Sequence, residues 1–212
     1  MKIFIIGMHR SGTSMITGIL HKCGLKLGEN LLMGARDNPK GHFESRQFIR
    51  INNEILFRNG GRWHSPPKNI HFYPGIKNKM RQFVNGFNPQ KISGFKDPRV
   101  CLTFPLWYRV IHPEPIKVVM VIRPFSMIAK SLRQRNEFSL ERGGQLADSY
   151  VRSAFAAVHK CNVPYMPAVY HRFFKNWRRE LRPILEFTGL KLPANTNGIE
   201  NFIDKSLWHH KK

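Results

Sequence analysis

Acidic residues are scarce in this sequence. Thirteen Asp and Glu stand against 35 Lys and Arg in 212 residues, leaving a formal charge of +22. The scarcity leaves few candidates for a carboxylate base. The excess of cations attracts anions: nucleic acid, acidic glycan, an anionic membrane surface or a phosphorylated cofactor all fit, as does a solvated surface with no specific partner. Cysteine is scarce too. Cys23, Cys101 and Cys161 are odd in number and far apart, which excludes a disulfide framework and a CxxC-type zinc cluster and points to reduced, buried thiols. No apolar run is long enough for a membrane span, and the opening run before His9 and Arg10 is too short for a signal peptide, so a cytoplasmic location is expected. There is no Gly/Ser- or Pro-rich linker and no repeat, so residues 1–212 are expected to form a single domain.

What is present alternates between strand and helix. Lys2 to Ile6 is an apolar, β-rich run without alternation, as in a strand buried on both faces of a parallel sheet. It ends at Gly7, and a loop leads to Met15, Ile16, Ile19 and Leu20, whose spacing marks an amphipathic helix. Strand, glycine-bearing loop and helix together form a ready site for phosphate oxygens, or else a tight turn that binds nothing. Gly7 and Gly12 keep the GxxxxG frame of a P-loop, but Thr13 follows where nucleoside-triphosphate enzymes require Lys, and the cation stands inside the loop at Arg10. The fold class expected is α/β, a P-loop-type three-layer α/β/α arrangement around a central, mostly parallel sheet.

The loop resembles that of the PAPS-dependent sulfotransferases, where PAPS is 3′-phosphoadenosine-5′-phosphosulfate. Their (K/R)SGT(T/S) element is matched by Arg10, Ser11, Gly12, Thr13 and Ser14. The resemblance implies that Arg10 touches the phosphosulfate near its bridging oxygen, and that Ser11, Gly12, Thr13 and Ser14 supply backbone and hydroxyl donors. A second buried-strand run, Ile116 to Ile122, ends in Arg123 and Pro124 before a helix carrying Ser131. An acidic metal ligand would end such a strand in a magnesium-dependent enzyme, so a cation there argues against triphosphate chemistry. The family places an Arg and, eight residues on, a Ser at the cofactor's 3′-phosphate, as Arg123 and Ser131 stand here. Taken alone, Arg123 also reads as a surface ion-pair residue and Ser131 as an ordinary helix residue.

Lys91 to Phe95 reads as a short strand followed by Lys96, Asp97 and Pro98, with Pro98 setting a turn at the strand's carboxyl end. That is where open α/β sheets place ligands. Tyrosylprotein and several bacterial sulfotransferases carry a similar KDP element, which implies Lys96 as electrophile at the sulfuryl group; a plain Lys–Asp turn is the alternative. For the base, Glu44 precedes a helical pattern of Phe48, Ile51, Ile55 and Leu56 and follows Asn38 to Gly41, as an aromatic–Glu element does in similar sulfotransferases. Glu44 also reads as an acidic first-turn residue complementing the helix dipole, and His42 competes as base.

Further helices are expected near 76–84, 103–112, 125–135, 142–160 and 176–188, with a strand around Ala168 to His171. Phe187 to Leu190 and Phe202 to Leu207 resemble the family's closing segment, although the basic-glycine motif of cytosolic animal sulfotransferases is absent. Residues 58–90, rich in Gly, Pro and aromatics, read either as an acceptor-facing insert or as a lid packed on the core. The implied activity is transfer of a sulfuryl group from PAPS to an acceptor hydroxyl, glycan or small molecule, acidic or not, with PAP (desulfated PAPS) as product, with neither metal nor nucleic acid required and no membrane span. A P-loop nucleotide kinase and a basic nucleic-acid-binding module are the alternatives.

Overall fold

The computed structural model describes residues 1–32, 34, 38 and 40–203. The first apolar run forms β1 (Lys2–Ile6), buried along its whole length. It pairs in parallel with β3 (Ser93–Lys96) on one side and β4 (Ile116–Ile122) on the other, Phe4 lying opposite Phe95 and Val118. A two-residue strand, β2 (Lys26–Leu27), extends the sheet beyond β3, and β5 (Tyr165–Val169) extends it beyond β4. The order is β2-β3-β1-β4-β5 with every pairing parallel.

Side chains alternate across this sheet and divide the core in two. Phe4 and Ile6 of β1, with Val118 and Met120 of β4, face one helical layer: α2 (Arg46–Arg58), α3 (Pro74–Asn85), α4 (Val100–Ile111), α5 (Phe125–Asn136) and α6 (Leu140–Lys160). Ile3, Ile5, Val119 and Val121 face the other: α1 (Thr13–Lys22), α7 (Phe173–Thr188) and α8 (Asn197–Glu200). The result is the expected three-layer α/β/α fold. Aromatic rings fill the larger half, with Phe48 against Trp107 at 4.6 Å and Phe4 against Phe95 at 5.1 Å. Trp63, Ile70, Phe72 and Tyr73 pack onto the same half, so the aromatics of segment 58–90 cover the core.

Several boundaries differ from expectation for local reasons. Helix α4 begins at Val100 rather than near 103, because the Asp97 carbonyl accepts the Val100 N–H at 3.0 Å and Pro105 falls early in the helix. Helix α7 breaks at Asn176, whose φ is −153° and whose side chain accepts the Arg179 N–H at 3.1 Å, so a fresh capped helix starts at the expected place. The strand expected at Ala168 to His171 runs earlier. Its register with Val118 to Ile122 spans Tyr165 to Val169, and Tyr170–Arg172 turn into a 3₁₀ helix. Pro167 is tolerated there because β5 is an edge strand.

Helices α2 and α4 are tied to the end of β3 by a buried polar network. Asn52 donates to Asp97 Oδ2 at 2.9 Å, and its own oxygen accepts from Thr103 Oγ1 at 2.7 Å and Trp107 Nε1 at 2.9 Å. Asp97 Oδ1 accepts from the Arg99 backbone at 3.0 Å and guanidinium at 2.7 Å. Asn52→Ala strips partners from three buried groups at once. It is expected to lower stability by about 2–4 kcal/mol in urea unfolding, the size of several unmet buried hydrogen bonds.

Candidate active site

The carboxyl ends of β1, β3 and β4 lie side by side, and three loops meet there. The loop after β1 holds Arg10 at φ 68° and Gly12 at φ 96°, alternating left-handed residues of the kind that shape an anion-binding concavity. Only glycine fits at position 12, since a Cβ there would lie 2.0 Å from the Tyr170 ring. Helix α1 starts directly behind, with no side-chain cap and no acidic residue in its first turn. Its leading N–H groups and the positive end of its dipole face the loop.

Two further segments close on this loop. Arg123, at the end of β4, donates from Nη1 to the Arg10 carbonyl at 2.7 Å and lies over the Tyr170 ring at 4.9 Å. The guanidinium is buried, its Nε has no partner, and no carboxylate among the described residues pairs with it. Burial pulls its pKa below the usual arginine value, with Tyr170 opposing. From α5, Ser131 Oγ accepts Arg10 Nε at 2.8 Å. At the end of β3, Lys96 Nζ donates to Glu44 Oε1, to Ser14 Oγ at 3.1 Å and to the His42 carbonyl at 2.9 Å. The Lys96–Glu44 pair is buried, with side chains 2% and 9% exposed. Glu44 precedes the helix cap Ser45 and stands outside the first turn of α2, so its partner is Lys96 rather than the helix dipole.

Arg10, Gly12, Thr13, Ser14, Glu44, Lys96, Arg123 and Ser131, all the catalytic and cofactor-binding residues expected from the sequence except Ser11, line one cavity. Ser11 is buried with its hydroxyl unpartnered, and its N–H donates to the Met8 carbonyl at 3.1 Å. His42 also lines the cavity and meets Lys96 through its carbonyl. His9, Arg135, Tyr170 and Phe202 are also part of the wall. Arg135 was legible, lying one turn beyond Ser131 on the same helix face. Tyr170 was not, because its role depends on where β5 ends. No described residue of segment 58–90 lines the cavity; Trp63 backs it through His9, ring centroids 4.5 Å apart. Phe202 packs on Phe43 at 5.5 Å, while Asp204 to Leu207 of the suggested closing segment, and Pro39 of the Asn38–Gly41 element, lie outside the described residues. Among the described residues no His, Cys, Asp and Glu side chains group to hold a metal ion, and no helix is long and apolar enough to cross a membrane.

No protein-family model matches the chain, and no curated protein matches it in sequence. Solved structures do match. The sulfotransferase domain of the Synechococcus PCC 7002 olefin synthase superposes with TM-score 0.55 at 15% identity, over 99% of this chain and 82% of that one. A sulfotransferase domain from the curacin biosynthetic pathway gives TM-score 0.56 at 12% identity, over 97% and 88%. The chain has the sulfotransferase-domain fold.

Within this sulfotransferase fold, His9 is electrostatically unusual. Burial first, and then Arg99, Arg135, Lys96 and Arg10, hold its pKa well below the ordinary 6.5. The unfolded chain therefore takes up a proton near pH 6.5 that the folded chain refuses, so stability falls as pH drops through that value. His171, also lowered by burial, acts in the same direction. Urea unfolding at pH 7.5 and 5.5 is expected to show this loss, at most about 1 kcal/mol over the interval from one such group, and His9→Phe to reduce it.

Proposed function

We propose that this protein is a PAPS-dependent sulfotransferase that transfers a sulfuryl group to the hydroxyl of an acceptor. The observation that carries the proposal is Arg123, a buried guanidinium with no carboxylate partner among the described residues, fastened to the carbonyl of Arg10 at the end of β4. A triphosphate site calls for an acidic metal ligand at that strand end. A cation there suits a second phosphate, and the 3′-phosphate is what distinguishes PAPS from ATP. The donor set fits a nucleotide anionic at both ends: the uncapped start of α1 with Arg10 for one, Arg123 and Ser131 for the other. The similarity to sulfotransferase domains supports the same reading.

When bound, PAPS supplies the sulfuryl group and departs as PAP. The chain's own residues position the partners and meet the charge. Glu44 takes the proton of the acceptor hydroxyl, and its location beside Lys96 Nζ favours it over the His42 ring. Lys96, shared among Glu44, Ser14 and the His42 carbonyl, stabilises negative charge on the sulfuryl oxygens. Arg10 acts near the bridging oxygen, with its Nε steered by Ser131. The chain works as one catalytic domain, and segment 58–90 borders the acceptor's approach behind His9. The buried thiols of Cys23, Cys101 and Cys161 suit a reducing, cytoplasmic setting.

Calorimetric titration at moderate salt tests the cofactor class without knowledge of the acceptor. PAP is expected to bind at least about tenfold more tightly than AMP, and Arg123→Ala to erase that difference, as befits loss of a charge-assisted hydrogen bond. Tighter binding of ATP with magnesium would instead make the protein a P-loop kinase. With an acceptor in hand, Glu44→Gln is expected to cut kcat by about 10²- to 10⁴-fold at unchanged PAP affinity; full turnover would remove Glu44 as the base.

A further inference from the structure

His9 carries a polar atom that no described residue satisfies. The residue is 9% exposed and forms part of the cavity wall beside Arg10, yet Nε2 makes no hydrogen bond. The ring is wedged in place. Trp63 lies against it with centroids 4.5 Å apart, and Tyr150 meets it edge-on at 6.1 Å. Tyr150 is itself pinned, its hydroxyl donating to the Trp63 carbonyl at 2.7 Å. A buried, unpartnered nitrogen costs about 1–3 kcal/mol, and native structures tolerate such a group where a ligand completes it.

The surroundings restrict what that ligand is. Among the described residues, the charges that lower the ring's pKa are those of Arg99, Arg135, Lys96 and Arg10, all cations. Burial first, and then repulsion from these cations, disfavours an imidazolium there, which makes His9 a poor base. A neutral imidazole still donates an N–H, and uncharged histidines act as electrophiles toward developing negative charge in other enzymes. The cavity wall around it, with Arg10 and Lys96, is built for an anion.

We infer that His9 is a further contact to the transferred group, donating its Nε2–H to a sulfuryl oxygen alongside Arg10 and Lys96. The inference rests on the sulfotransferase reading. It sets His9 apart from the phosphate-binding residues, because it would recognise the part of PAPS that PAP lacks.

Calorimetric titration of PAP and of PAPS into the whole protein separates the two. His9→Phe keeps a ring against Trp63 and removes the nitrogen. It is expected to bind PAP within about twofold of the natural protein and PAPS about tenfold more weakly, the effect of one hydrogen bond to a charged group. His9→Gln, whose amide restores a donor, is expected to recover part of the loss. If the natural protein binds neither nucleotide, the sulfotransferase reading falls and the inference with it. If PAP binds and His9→Phe leaves PAPS affinity untouched, the inference alone is wrong. Equal weakening of PAP and PAPS overturns it as well, since a ring that merely shapes the loop would behave so. Should His9→Phe fail to fold, nitrogen-15 NMR of the natural protein's imidazole decides: a shift of Nε2–H with PAPS but not PAP is expected, and the same response to both rules it out.

Discussion

The parallel pairing of β1 with β3 on one side and β4 on the other is the constraint on which the rest depends. It sets three strands with the same polarity side by side, so Gly7, Asp97 and Arg123 all follow strand ends at one edge of the sheet. Parallel neighbours require long crossovers, and here these are the helices of the two outer layers. Arg10, Lys96 and Arg123 of the cavity wall come from the ends of these three strands or the loops that follow them. The aromatic packing on one face and the aliphatic packing on the other hold the register, since a slip of one residue would exchange the two cores.

The cations at this edge are held in two different ways. Arg123 is held by neutral groups, the Arg10 carbonyl and the Tyr170 ring, while Arg10 itself donates from Nε to the Ser131 hydroxyl. Neutral partners of this kind orient the Arg123 guanidinium without cancelling its charge, so its positive field remains for an incoming anion. Lys96 is instead buried against Glu44. A buried pair compensates the desolvation of both members, and whatever enters between them must replace what each loses. The contrast matches the division of labour in the proposed reaction, permanent anion binding by the arginines and proton and charge handling by the Lys96–Glu44 pair.

Beneath the pair, the Asn52–Asp97–Arg99 network makes the turn after β3 rigid. Asp97 is fully buried and accepts from three donors, so the backbone that carries Lys96 is fastened to α2 and α4. Strained backbone collects at the same place: Arg10 and Phe43, neither of them glycine, both adopt left-handed conformations beside the cavity. Each costs on the order of 1 kcal/mol or more, and the surrounding packing absorbs that cost.

Much of this was legible in the chain as written. The unbroken apolar runs at Lys2–Ile6 and Ile116–Ile122, the glycine-bearing loop ahead of α1 and the arginine after β4 are determined by neighbours within a few residues, and they settle strand, loop and helix because burial on both faces and left-handed turns each demand particular residue types. What the local pattern did not reach were elements too short for a period to register, such as β2 and α8, and the end of β5, where Tyr170 leaves the strand to pack on Gly12. Tertiary structure alone decided that Ser131 takes Arg10, that Glu44 meets Lys96 rather than serving its helix, that Ser11 turns into the core, and that His9, a residue of the cavity wall, is left with a buried, unpaired nitrogen. Those outcomes depend on strand order and helix packing across more than a hundred residues, and a hydrogen bond between distant segments leaves no periodicity in either one.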